Sequence, residues 1–144
     1  MAKMNSYLNF NGNTEEAFNF YKSVFGGEFL TLMRFKDTPD ADKMPADEQE
    51  KVMHVALPIG DNILMGTDVL KSMEPVNFGT NSSLSIDGES EEEANQLFNK
   101  LSVGGKVVMP LEKMFWGALF GMITDKFGVQ WMVNYDFKER NTVL

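Results

Sequence analysis

The chain has 144 residues, of which 43% are hydrophobic and 24% charged, the size and balance of one core-forming domain rather than of two full domains or a disordered segment. It contains no cysteine, which excludes a disulfide framework, a thiolate zinc or iron–sulfur site and a cysteine nucleophile. The formal charge is −8 and the 13 Lys and Arg residues are scattered, which argues against nucleic acid and against an anionic membrane surface as partners.

The N-terminal Met1-Ala2-Lys3-Met4-Asn5-Ser6 lacks the apolar run of a signal peptide, and nowhere do about 18 apolar residues follow one another, so a cytoplasmic protein is expected. After Asn5, expected to fray, Tyr7–Phe10 reads as a short strand. Asn13 is a good N-cap residue with Glu16 three positions later, and Ala17, Phe18, Tyr21, Val24 and Phe25 then fall on one helical face. Gly26-Gly27 closes this helix, and from Phe29 to Phe35 the period shortens toward 2, predicting a strand. Residues 37–50 are charged and carry Pro39 and Pro45. A mobile loop with at most one helical turn is expected there; loops of this length are often functional covers, although a solvated insertion is the commoner outcome.

Met53–Ile59, Gly60-Asp61 and Ile63–Thr67 read as a hairpin. The pattern then repeats. Asn13-Thr14-Glu15-Glu16-Ala17-Phe18-Asn19-Phe20-Tyr21 recurs at an offset of 77 as Ser90-Glu91-Glu92-Glu93-Ala94-Asn95-Gln96-Leu97-Phe98, with Ser90 as N-cap, Glu93 three positions later, and Gly104-Gly105 following as Gly26-Gly27 did. Ser82–Ile86 precedes the second helix; Val107–Leu111 follows it, and Trp116–Thr124, the turn Asp125-Lys126-Phe127-Gly128 and Val129–Asn134 form a second hairpin. Each half is strand, helix and three strands. The fold class is therefore α+β, two β-α-β-β-β modules over about residues 4–70 and 78–136, with residues 138–144 expected to fray.

This arrangement resembles the vicinal oxygen chelate superfamily, the glyoxalase, bleomycin-resistance and extradiol dioxygenase group. Tyr7-Leu8-Asn9-Phe10-Asn11-Gly12-Asn13-Thr14-Glu15-Glu16-Ala17, with Phe20-Tyr21 and Phe25-Gly26-Gly27, is similar to the opening of its PhnB-like branch. So is Phe115-Trp116-Gly117, continuing through Phe120-Gly121-Met122 and Thr124-Asp125-Lys126-Phe127-Gly128-Val129 to Trp131-Met132-Val133-Asn134. The likeness covers nearly the whole chain apart from the acidic loop. It implies a single domain with a curved, cup-like mixed sheet and helices outside. The branch is sometimes labelled a demethylubiquinone methyltransferase domain, yet the sequence has no Gly-rich strand-to-helix turn of a nucleotide cofactor site, since both Gly-Gly pairs follow helices.

The resemblance also implies where a divalent metal would be held, by His, Gln or Glu on the first, fourth, fifth and eighth strands. Those places correspond here to Ser6 or Tyr7, Asp68, Asn81, and Trp131 or Met132. Only Asp68 is a conventional ligand, so the usual metal site is expected to be lost. His54, the only histidine, lies in the apolar strand Val52-Met53-His54-Val55-Ala56-Leu57. Pairing Ile59 with Asn62 sets His54 opposite Thr67, while pairing Ile59 with Ile63 sets it opposite Asp68. Only in the second register would His54 and Asp68 form an acid–base couple; otherwise His54 is a hydrogen-bonded structural residue.

Trp116, Trp131, Phe115, Phe120 and Tyr135, with Met65, Met109, Met114, Met122 and Met132, concentrate on the hairpin strands. Most belong to the core, while alternation leaves some to line a pocket; Trp116, Trp131, Asn81, Met65 and Met132 are the candidate ligand contacts. Two functions follow. One is a metal-independent binder of a small, largely apolar or planar molecule, with no cofactor. The other is a metal-dependent lyase, isomerase or dioxygenase that uses His54 and Asp68. A homodimer is expected in either case, because open sheet edges rich in large apolar residues need covering.

Overall fold

Alternating and helical hydrophobic spacing produce the same element order in both halves. The first holds β1 (Ser6–Phe10), α1 (Thr14–Phe25), β2 (Thr31–Arg34), the four-residue turn of helix α2 (Ala46–Gln49), β3 (Val52–Ile59) and β4 (Asn62–Asp68); the second holds β5 (Leu84–Asp87), α3 (Glu91–Leu101), β6 (Lys106–Lys113), β7 (Ala118–Thr124) and β8 (Gln130–Asp136). These elements come from a computed structural model that describes residues 1–137; the expected fraying of residues 138–144 lies outside them. The chain divides into two units, Met1–Asn77 and Phe78–Leu144. Each carries one four-stranded mixed sheet, β1-β4-β3-β2 in the first and β5-β8-β7-β6 in the second. In each, the strand before the helix lies parallel to the last strand, and the other pairs are antiparallel.

In the first unit α1 packs on β3 and β4. Its buried stripe of Ala17, Phe18, Tyr21 and Val24 meets Phe10, Val55, Leu57 and Leu64, all buried. Burial of each large side chain contributes roughly 1.5–3 kcal/mol. The rings meet edge to face, Phe10 with Phe18 at 6.4 Å and Phe18 with Tyr21 at 5.5 Å, the arrangement aromatic quadrupoles favour. The approach is close because Gly66 of β4 lies below Phe18: a Cβ there would stand 2.5 Å from the ring. Gly121 of β7 plays the same part in the second unit, where a Cβ would stand 2.7 Å from Phe98 of α3. There Ala94, Phe98 and Leu101 of α3 are buried, as are Ile123, Trp131 and Val133 of β7 and β8, the two strands on which α3 packs.

The hairpin between β3 and β4 adopts the first of the two registers, with Ile59 opposite Asn62 and Val55 opposite Gly66. The 37–50 segment is more structured than its composition suggested. It forms single 3-10 turns at Phe35–Asp37 and Ala41–Lys43 as well as α2. Side chains tether it: Asp37 accepts from the Arg34 N–H at 2.9 Å, Lys36 pairs with Glu50 at 3.1 Å, and the buried Glu48 accepts from the Lys71 N–H at 2.9 Å. Charged residues that read as solvated therefore hold the segment to the unit.

Candidate functional site

Each sheet has a face turned to its helix and a face without one, and strand alternation decides which residues stand on which. In the first unit Leu64, Gly66 and Asp68 share the α1 side with Leu8, Val55 and Leu57. The opposite face carries Tyr7 and Asn9 of β1, Met65 and Thr67 of β4, His54 and Ala56 of β3 and Met33 of β2, as the paired positions Tyr7–Met65, Asn9–Thr67, Ala56–Met65 and Met33–His54 require. This face has a polar centre. Tyr7 Oη and His54 Nδ1 are 3.2 Å apart, the phenol donating when the imidazole proton is on Nε2, and the two rings are tilted at 36° with centroids 5.8 Å apart. His54 is half-buried, whereas Tyr7 is 44% and Met33 38% exposed. The Thr67 hydroxyl is turned back to donate to the Met53 carbonyl at 2.6 Å.

His54 and Asp68 do not come together. Besides the register, Asp68 belongs to the opposite face, where it is 3% exposed and both of its oxygens are engaged. Oδ1 accepts from the Thr14 N–H at 3.0 Å and from the Thr14 hydroxyl, and Oδ2 accepts from the Val52 N–H at 2.8 Å. Asp68 is thus the cap of α1, supplied from β4, and the expected Asn13 side-chain cap is not made. A carboxylate at a helix start complements the free N–H groups and the dipole. The expectation of Asp68 as an acid–base partner of His54 is corrected by this geometry.

Trp131 is 1% exposed, and its Nε1–H donates to Asp125 Oδ2 at 2.8 Å. Asp125 Oδ1 accepts from the N–H groups of Phe127 at 2.8 Å and Val129 at 3.0 Å. Asp125 is thus the turn residue expected, and it also anchors the indole. Trp131 faces the α3 side with Val133, so its stacking on a ligand is corrected to a core role. Trp116 differs: it is 54% exposed, in edge-to-face contact with Phe115 at 5.0 Å and Phe120 at 6.1 Å. Met132 lies on the face away from α3, opposite Met122, and Asn81 is exposed in the loop before β5.

The donor set implied for a superfamily metal does not fit a divalent ion. Asp68 is saturated by three protein donors, Trp131 offers an indole bound to Asp125, and the remaining side chains are a hydroxyl or phenol, an amide and a thioether. Borderline metals in catalytic sites need imidazole or carboxylate ligands. Among the described residues, no three or more His, Asp or Glu side chains gather in a metal-binding group.

A bidentate ion pair lies near the start of α1. Arg34 donates from Nη1 and Nη2 to the two Glu15 oxygens at 2.9 and 2.7 Å, and from Nη1 to the Glu50 carbonyl at 2.8 Å. The hydrogen bond from Arg34, aided by its charge and opposed by burial, holds the Glu15 carboxyl below the usual range.

Sequence reasoning reached Tyr7 only as a metal position. Its partnership with His54 depends on the parallel register of β1 on β4, for which the sequence carries no local signal beyond alternation.

A model of the family described as 3-demethylubiquinone-9 3-methyltransferase matches residues 2–134. The protein PA1353 from Pseudomonas aeruginosa is 42% identical, with a TM-score of 0.83 over 94% of this chain and 98% of that one. A putative 3-demethylubiquinone-9 3-methyltransferase, PhnB protein, from Bacillus cereus is 28% identical, with a TM-score of 0.73 over 93% and 99%. Protein YjdN from Escherichia coli is 31% identical over 91% of this chain and 93% of its own length. The fold alone is shared with a glyoxalase-related enzyme from Fulvimarina pelagi, at 15% identity and a TM-score of 0.62 over 94% and 89% of the two chains. The chain belongs to the family described as 3-demethylubiquinone-9 3-methyltransferase, to which the similar PhnB protein is also assigned by its description.

Proposed function

We propose that the protein binds a small, largely apolar or planar molecule on the helix-free face of its first sheet, without a metal ion. The observation that carries this reading is the Tyr7–His54 pair standing on that face among Met33 and Met65. Apolar surface with a few placed polar groups is the usual make-up of a small-molecule site. Thioethers adapt to ligand shape, and a phenol and an imidazole each offer one donor or acceptor. Of the expected ligand contacts Met65 stands on this face, whereas Met132, Trp116 and Asn81 belong to the second unit and are not assigned to it. The metal-dependent lyase, isomerase or dioxygenase reading lacks its His54–Asp68 couple.

The test is a titration with 2-naphthol and naphthalene, planar molecules that differ by one hydroxyl. Tyr7→Phe and His54→Ala are expected to weaken 2-naphthol by about 1–3 kcal/mol and leave naphthalene nearly unchanged, since each removes a hydrogen-bond partner. Equal effects on both probes, or none, would contradict the proposal.

We also propose a homodimer. Strand β6 is an edge strand, with all of its residues exposed except Leu111, which is half-buried. Val107, Val108 and Met109 are 46%, 54% and 39% exposed. Pro110 and the register shifts blunt this edge against open-ended pairing, and a second copy would cover its apolar side chains. Sedimentation at micromolar concentration is expected to give a dimer, and a stable monomer would overturn the proposal.

A further inference from the structure

The two parallel strands of the first sheet, β1 and β4, end side by side, and beyond their ends a cleft of about 180 Å³ opens. That is several times the ~30 Å³ a water molecule takes in the liquid. Asn11, which follows β1, Val69, Leu70, Lys71, Met73 and Pro75, which follow β4, and Lys51, the residue before β3, line it.

Its walls are tied down. The Asn11 side chain donates to the Val76 carbonyl at 3.1 Å and accepts from the Val76 N–H at 2.8 Å, and Glu48 accepts from the Lys71 N–H at 2.9 Å. The floor is apolar, with Val69, Leu70 and Met73.

The two lysines of the cleft are held differently. Lys71 Nζ is neutralised by Asp47 at 2.8 Å. Lys51 is half-buried and makes no direct ion pair among the described residues, the Asp47 carboxylate attracting it only at longer range. Instead of extending into water, its side chain folds over Gly12, so that Nζ lies 2.8 Å from where a Cβ on that residue would stand. Gly12, at φ +111°, supplies both the backbone turn and the space for the ammonium. An ammonium beside an apolar floor matches an anionic head on a hydrocarbon body.

We propose that this cleft is a second binding site, for a small organic carboxylate with a short apolar tail: the carboxylate on Lys51 Nζ and the tail against Val69, Leu70 and Met73. It is distinct from the Tyr7–His54 face and does not depend on that face's binding a ligand.

Methyl-labelled methionine and amide spectra of the intact protein, titrated separately with hexanoate, hexanol and inorganic phosphate, test the assignment. Hexanoate is expected to shift the Met73 methyl and the Val69 and Leu70 amides saturably, with hexanol and phosphate each weaker by about tenfold or more, since one lacks the charge and the other the tail. Lys51→Gln is expected to reduce hexanoate to the level of hexanol, and Lys51→Arg to retain it. Should Lys51→Gln not fold, Met73→Glu, at a residue 48% exposed, puts a carboxylate on the floor and is expected to abolish hexanoate binding with Lys51 intact. The proposal is overturned if hexanoate leaves Met73 unshifted up to about 50 mM. It is also overturned if phosphate binds as well as hexanoate, or if neither the Lys51→Gln nor the Met73→Glu protein loses hexanoate affinity.

Discussion

The two long helices begin in similar sequence but are held by different means. At α3 the cap is local: Ser90 Oγ accepts from the Glu93 N–H at 3.0 Å, and Glu93 reaches back to accept from the Glu89 N–H at 2.8 Å. At α1 the side chain of Asn13 makes no capping bond, and the Thr14 N–H is taken by Asp68, 54 residues away in sequence. A local cap stabilises one helix end. A cap from a strand also fixes that helix on the sheet, and because Asp68 reaches Val52 as well, it joins α1, β3 and β4 at one buried point. The same commitment removes Asp68 from any chemistry on the opposite face.

This difference sets a large expected effect against a smaller one. Asp68→Ala leaves the buried N–H groups of Thr14 and Val52 without their acceptor and is expected to cost about 3–5 kcal/mol in urea unfolding. Ser90→Ala removes one exposed cap and is expected to cost about 1 kcal/mol. Equal losses would mean that Asp68 is no more than a local cap.

The smallest effect concerns pH. Arg34 lowers the Glu15 carboxyl below its unfolded value, so the pair's contribution is fully present above the unfolded glutamate range and is lost as pH falls through the lower folded value. With the Glu15 side chain 45% exposed, screening by water holds that contribution to a few tenths of a kcal/mol. Glu15→Gln is therefore expected to be slightly less stable than the parent at neutral pH, with the gap closing in acid. A gap that widened in acid would reverse the sign.

The same contrast shows what the sequence carried. Periodicity fixed the elements, because helix and strand spacing are local; Ala17, Phe18, Tyr21 and Val24 are buried as their spacing required, while Phe25, in the last position of α1, is half-buried. The repeat and its motifs carried the fold and the family. The Ser90 cap was legible because donor and acceptor lie three residues apart. The roles of Asp68 and Trp131 were not, since each depends on which strand face the residue occupies and on a distant partner. His54 rested on a one-residue choice of hairpin register that Gly60-Asp61 does not settle, and the folded protein takes the register with Ile59 opposite Asn62. Lys51 gave no signal at all, because its environment is built from Gly12, Asn11 and the segment after β4, three separate stretches of chain.

The most direct test of the claim that the helix-free face of the first sheet binds the ligand is where a ligand perturbs the protein. With 2-naphthol, the His54 imidazole, the Tyr7 ring and the Met65 methyl are expected to shift together and saturably in NMR spectra, while Trp131, whose indole is bound to Asp125, stays unshifted. Saturable shifts at other residues with His54, Tyr7 and Met65 silent would contradict the claim.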